Sequence, residues 1–169
     1  MTAADPTKAT ALWSLSADLE ERTWIDWLEA HTSFMFPLHH FEGNVQLTDT
    51  HLVLEGRHKR DKNQSKSLRI AKDSIVSVTH GFDQRFRRGD ERSLGLVFSP
   101  VIISFRNSDK SDETETVYIG FDVTCLRTNH NEQWCSEINR WRAGELLARD
   151  AATVSSPTSE KAAPLAASS

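Results

Sequence analysis

From Gly43 onward, apolar and polar positions alternate with a period of two, in short runs separated by polar turns. Val45 and Leu47 alternate with polar neighbours, as do Leu52 and Leu54, on either side of Thr48-Asp49-Thr50, whose residues favour a turn. Residues 43–47 and 51–55 are therefore predicted strands. Residues 56–67 follow as a polar, basic connection. Further strands are predicted at 68–70, at 73–79 (Ile75, Val76, Val78), at 94–98, at 101–105 and at 116–125. Ser99-Pro100 divides 94–105 in two, because proline cannot donate to a ladder. Residues 81–92 form a second polar loop, and 107–115 an acidic turn without a hydrophobe.

The two ends of this β region carry a helical period. Over 16–36, Leu15, Leu19, Trp24, Ile25 and Leu28 make an imperfect apolar face, with Trp27 beside it. Asp18 followed by Glu21 resembles a capping box, and Pro37 stops the helix. Phe34–Phe36 is expected to dock irregularly, and the aromatic helix to cover an open side of the sheet. A second helix is predicted over 132–147, with Asn129 as its cap. Trp134, Ile138 and Trp141, four and then three residues apart, form a packing stripe that reaches toward Leu146 or Leu147.

These elements predict a mainly β fold: a small sandwich or partly open barrel of about seven strands. A C-terminal amphipathic helix closes it, and an N-terminal helix is added. Residues 1–11 and 149–169 are expected to be disordered, leaving 12–148 as a single domain. The terminal stretch is rich in Ala, Ser, Thr and Pro, with only Val154 and Leu165 as larger aliphatics over 150–169.

The run Gly43-Asn44-Val45-Gln46-Leu47-Thr48-Asp49, then His51-Leu52-Val53-Leu54, the later strands and the tryptophan-bearing last helix resemble the pleckstrin-homology (PH) superfold over residues 41–143. The GRAM-like and bacterial PH-like branches are the nearest in pattern. In PH domains a tryptophan of the closing helix packs over the core, which the resemblance assigns to Trp134, with Trp141 as the alternative. Phosphoinositide-binding members place alternating basic residues at the first hairpin. Taking 45–51 as that hairpin, there is no Lys or Arg in it, so the resemblance implies the fold without inositol-phosphate recognition.

Charge then separates the middle of the chain from its ends. The formal net charge is −4, yet residues 57–92 hold eleven Lys or Arg against five acids. Arg57, Lys59, Arg60, Lys62 and Lys66 occupy one predicted loop, and Arg85, Arg87, Arg88 and Arg92 the other. Phe82 and Phe86 intersperse the second group as an apolar edge. Together these nine cations are the candidate surface for an anionic partner.

Catalytic chemistry has weaker support. No phosphate loop, dinucleotide fingerprint, His-Glu-x-x-His run or Gly-x-Ser-x-Gly elbow occurs. His39 and His40 are adjacent and point apart in an extended chain, and His31 completes no ligand set. Cys125 and Cys135 lack metal-site spacing and are expected to be reduced thiols. No catalytic, cofactor or metal residue is assigned, and the chain is expected to be a non-enzymatic, cytoplasmic binding module. A protein partner or scaffolding role is the first expectation and peripheral attachment to anionic lipid headgroups the second. The third is an enzyme whose site assembles from separated residues. Nucleic acid is disfavoured by the acidic overall balance, and no transmembrane segment is expected.

Overall fold

The structure, a computed structural model, describes residues 7–21, 23–24, 39–88, 99–107, 113–122 and 130–145. The described elements are β1 (Lys8–Leu15), α1 (Ser16–Glu20), β2 (Phe41–Leu47), β3 (His51–His58) and β4 (Ser65–Ala71). A 3-10 turn (Lys72–Ser74), β5 (Ile75–His80), β6 (Val101–Arg106), β7 (Thr114–Phe121) and α2 (Asn131–Arg142) follow. All strand pairings are antiparallel, in the order β4-β3-β2-β1-β7-β6-β5, so the sheet keeps two edges and is not closed into a barrel. The mainly β expectation with flanking helices holds.

β1 joins the two halves. Lys8–Trp13 pair with β2, while Ala11–Leu15 pair with β7. One continuous core follows from this junction. Val45, Leu52, Leu54 and Ile70 from one half meet Val101, Ile103, Val117 and Ile119 from the other. Trp13 lies among them, fully buried and stacked on Phe41 at 4.6 Å between ring centroids.

α2 covers this core with the predicted stripe. Trp134, Ile138 and Trp141 are all buried, and Trp134 stacks on Phe121 at 4.8 Å with 6° between the planes. Trp141 is tied in as well, because its Nε1–H donates to the Thr48 carbonyl at 2.7 Å. At the head of α2, the buried Asn131 amide accepts the Phe121 N–H at 2.6 Å and donates to the Ser99 carbonyl at 2.7 Å. Both its amide atoms are satisfied, as burial of a polar group requires.

A second apolar cluster sits on the outer face of β6 and β7, where Ile102 and Tyr118 pair across the ladder. Leu19 of α1 and Phe86 of the loop after β5 cover it.

Several expectations are corrected. Residues 8–11, expected to be disordered, belong to β1. The helix starting at Ser16 ends at Glu20, with Asp18 in its first turn accepting the Leu15 N–H at 2.9 Å. Leu15 is in the strand, and Trp24 is 73% exposed, so it does not cover the sheet. Because β1 precedes β2, residues 45–51 are the β2–β3 hairpin and not the first one. Half of the basic connection 56–67 is strand: β3 runs on to His58 and β4 begins at Ser65, leaving 59–64 as the loop. His130, not Asn129, stands at the cap position of α2.

The expectations for Ile25, Trp27, Leu28, His31, Phe34–Phe36, strand 94–98, Arg92, Cys125, Asn129, Leu146, Leu147 and the 149–169 tail lie outside the described residues. Among the described residues, no helix is long and apolar enough to cross a membrane.

Candidate anionic-partner surface

Side chains alternate along each strand, so the residues between the buried ones line the outer face. On β1 to β4 these are Thr10 and Leu12, Glu42 and Asn44, Glu55 and Arg57, and Ser65 and Ser67. They line an open concavity of about 840 Å³, which Lys59 and Lys62 of the β3–β4 hairpin and Lys66 border. Four of the nine expected cations therefore gather here: Arg57, Lys59, Lys62 and Lys66.

The hairpin loop that carries Lys59, Arg60 and Lys62 is held by Asp61. Its Oδ1 accepts the Asn63 N–H at 3.1 Å, its carbonyl accepts the Gln64 N–H at 2.9 Å, and its own N–H donates to His58 Nδ1 at 3.1 Å. The last bond requires the His58 tautomer whose Nδ1 is unprotonated. Such side-chain bonds to the backbone fix a turn without a ladder.

Lys66 has a different task. It lies on β4 opposite Gly56, in the row that faces the interior, and its Nζ meets Asp18 Oδ1 at 3.1 Å. The same ammonium stands 5.0 Å from the centre of the Phe41 ring. Lys66 thus pins α1 to the sheet.

The second basic segment is also anchored to α1, since Arg85 pairs with Glu20 at 3.4 Å. Asp18 and Glu20 are two positions apart, and side chains at that spacing point to opposite sides of a helix. The two basic loops therefore flank α1 and do not merge through these residues into one patch.

Within the second loop, Asp83 Oδ1 accepts the Arg85 and Phe86 N–H groups at 2.9 and 2.7 Å, and Oδ2 accepts the Tyr118 hydroxyl at 2.7 Å. Phe86 is fully buried against Tyr118, so it anchors the loop and offers no apolar edge to a partner. Phe82 is half-buried beside it. Arg87 folds back onto the Gln84 carbonyl at 3.0 Å.

Of the expected cations, Arg57, Lys62 and Arg88 are exposed, with no ion pair or side-chain hydrogen bond among the described residues. Arg69 on β4, outside the expected set, shares this condition. Arg57 and Lys62 stand together at the concavity, while Arg88 is on the other loop. Arg60 is exposed on the hairpin but does not line the concavity.

A second open depression lies between the β2–β3 turn and the end of α2, lined by His51, Lys72, Asp73, Asn139 and Arg142. Arg142 donates there to the Ile75 carbonyl at 2.8 Å. Elsewhere, His80 Nε2 lies 2.6 Å from Ser99 Oγ, but no carboxylate orients the exposed imidazole among the described residues. A Ser-His pair needs such a group to hold its base in place. Cys135 has a free, partly buried thiol, raised above the usual thiol pKa by burial and by the Glu132 carboxylate.

No protein-family model matches the chain, and neither a curated protein nor a solved structure matches it significantly.

Proposed function

We propose that this chain is a non-catalytic protein-interaction module whose concave outer face on β1–β4 binds an anionic segment of a partner protein. The observation that carries this reading is the placement of Arg57 and Lys62. Both are exposed at one concavity and make no ion pair among the described residues, although Glu42 lies opposite Arg57 and Glu55 lines the same face, whereas Lys66 and Arg85 are occupied by acids of α1. Thr10, Ser65 and Ser67 add hydroxyls to the same surface, which suits a polar partner. Hydrogen bonds to ionised groups are stronger than neutral ones, so uncommitted cations favour a carboxylate-bearing ligand.

A PH-like architecture belongs to this reading. It is supported by seven strands in the order β4-β3-β2-β1-β7-β6-β5, with a helix after the last strand placing Trp134 and Trp141 over the core. The lipid alternative uses the same cations and is separated by experiment. Affinity isolation with the full chain should retain a stoichiometric partner, and Arg57→Glu/Lys62→Glu should release it while Arg88→Glu does not. Failure to retain a partner, or equal behaviour of the variants, overturns the reading. Salt-sensitive binding to phosphatidylserine vesicles without a protein partner favours membrane attachment instead.

A further inference from the structure

Among the described strands, β4 and β5 end the sheet, and they differ. β5 is occupied along its outer edge: Arg142 donates to the Ile75 carbonyl at 2.8 Å and Asn139 lies 3.5 Å from the Val78 carbonyl. β4 has no such cover among the described residues.

The register shows which of its backbone groups are left over. The bonds from His58 N–H to the Gln64 carbonyl and from Lys72 N–H to the Thr50 carbonyl, both 2.8 Å, bracket the β3–β4 ladder. Opposed residues alternate between bonded and non-bonded pairs in an antiparallel ladder. Lys66, Leu68 and Ile70 therefore direct their backbone groups to β3, while Ser65, Ser67 and Arg69 direct theirs outward. All three outward residues are exposed, and their outward groups have no partner among the described residues.

We propose that the β4 edge accepts an extended acidic peptide as an added strand, a proposal that rests on the reading of the adjoining concavity as an anion-binding surface. Charge selects the occupant. β4 carries Lys66 and Arg69 and no acid. Arg57 stands directly opposite Ser65, whose short side chain leaves the arginine a path across β4 toward the added strand. Acids at alternate positions of the peptide would lie on this outer face, beside Arg69 and within reach of Arg57. The intervening positions would lie beside half-buried Leu68, which favours aliphatic side chains there. A second copy is a poorer occupant, because β4 against β4 gathers Lys66 and Arg69 from both chains along one seam without an acid.

The test uses the full chain, labelled with nitrogen-15, and a blocked heptapeptide alternating glutamate and valine, with its lysine–valine counterpart as control. Strand addition predicts that amide exchange at Ser65, Ser67 and Arg69 slows about tenfold or more with the glutamate peptide and not with the lysine peptide. Ser67→Pro deletes one outward N–H on an edge strand, where proline is tolerated, and should weaken binding about tenfold while Ser67→Ala does not. If Ser67→Pro fails to fold, the wild-type exchange pattern decides. Binding without protection of those three amides, or undiminished binding by folded Ser67→Pro, overturns strand addition. The charge reading survives that outcome if Arg57→Glu/Lys62→Glu still abolishes binding. Absence of glutamate-peptide binding, including the case in which only phosphatidylserine vesicles bind, overturns the proposal.

Discussion

Gly43 and Gly56 face each other across β2 and β3, and neither has room for a Cβ. They form a non-bonded pair of the ladder, the arrangement in which Cα atoms approach most closely. A Cβ on Gly43 would overlap the Glu55 carbonyl oxygen and lie 2.6 Å from Gly56 Cα; one on Gly56 would meet Trp13 Nε1 at 2.8 Å. The missing side chains thus admit the Trp13 indole to the core. Gly56→Ala should cost about 1–3 kcal/mol through overpacking, and Gly43→Ala more, because its obstacle is backbone. Urea melts of the two variants should rank them in that order.

The buried tryptophans should separate by their polar ends. Trp141→Phe deprives the Thr48 carbonyl of its donor, whereas Trp13 Nε1–H is buried with no partner among the described residues. Trp13→Phe removes an unsatisfied donor along with ring volume, so it should be the milder change by about 1 kcal/mol. Trp134→Ala should cost about 3–5 kcal/mol, since the ring stacked on Phe121 leaves a cavity in a close-packed core. Melts followed by circular dichroism check both statements without relying on the lost fluorophore.

Truncation provides a sharper test of β1. Removing residues 1–11 deletes Lys8, Ala9, Thr10 and Ala11, four of the six β1 residues that pair with β2. A chain beginning at Thr7 keeps them, together with the Thr7 carbonyl that accepts the Leu47 N–H at 2.8 Å. The shorter chain should lose its cooperative melt, and the longer one should retain it.

Cys135 predicts a pH dependence with a definite sign. Its thiol pKa is raised in the folded chain, chiefly by burial and further by Glu132. The folded state therefore holds that proton more tightly than the unfolded state. This contributes stability that is fully present below the unfolded thiol value of about 8.5 and is lost as pH rises through the folded value. Wild type should thus lose more stability between neutral and alkaline pH than Cys135→Ala. At neutral pH, Cys135 should also react with a disulfide reagent more slowly than free cysteine.

The strands with bulky alternation were legible in the sequence, and so was the Trp134–Ile138–Trp141 stripe. β1 was not: its inward row is Ala9, Ala11, Trp13 and Leu15, and two alanines give too little contrast with their neighbours. Their smallness makes sense only beside Gly43, which pairs with Ala11. The ends of β3 and β4 were hidden by Gly56 and by the charges of Arg57 and Lys66, which resemble loop chemistry even though they occupy ladder positions. The cations of the site were legible by type, but their sorting was not. It depends on Asp18 and Glu20, acids distant in sequence that occupy Lys66 and Arg85 and leave Arg57 and Lys62 uncommitted.

The bridging position of β1 also constrains the order of events on the ribosome. Trp13 pairs with Ile119, so β1 must wait for β7, more than a hundred residues later, before its second ladder exists. At ~5–20 residues per second, the nascent chain spends several seconds with that side of β1 unpaired. A sheet closed by so distant a pairing also carries a high loop-closure cost and should fold slowly for its size. Until β7 emerges, the exposed edge of β1 is where a chaperone, or another nascent chain, has its opportunity to bind.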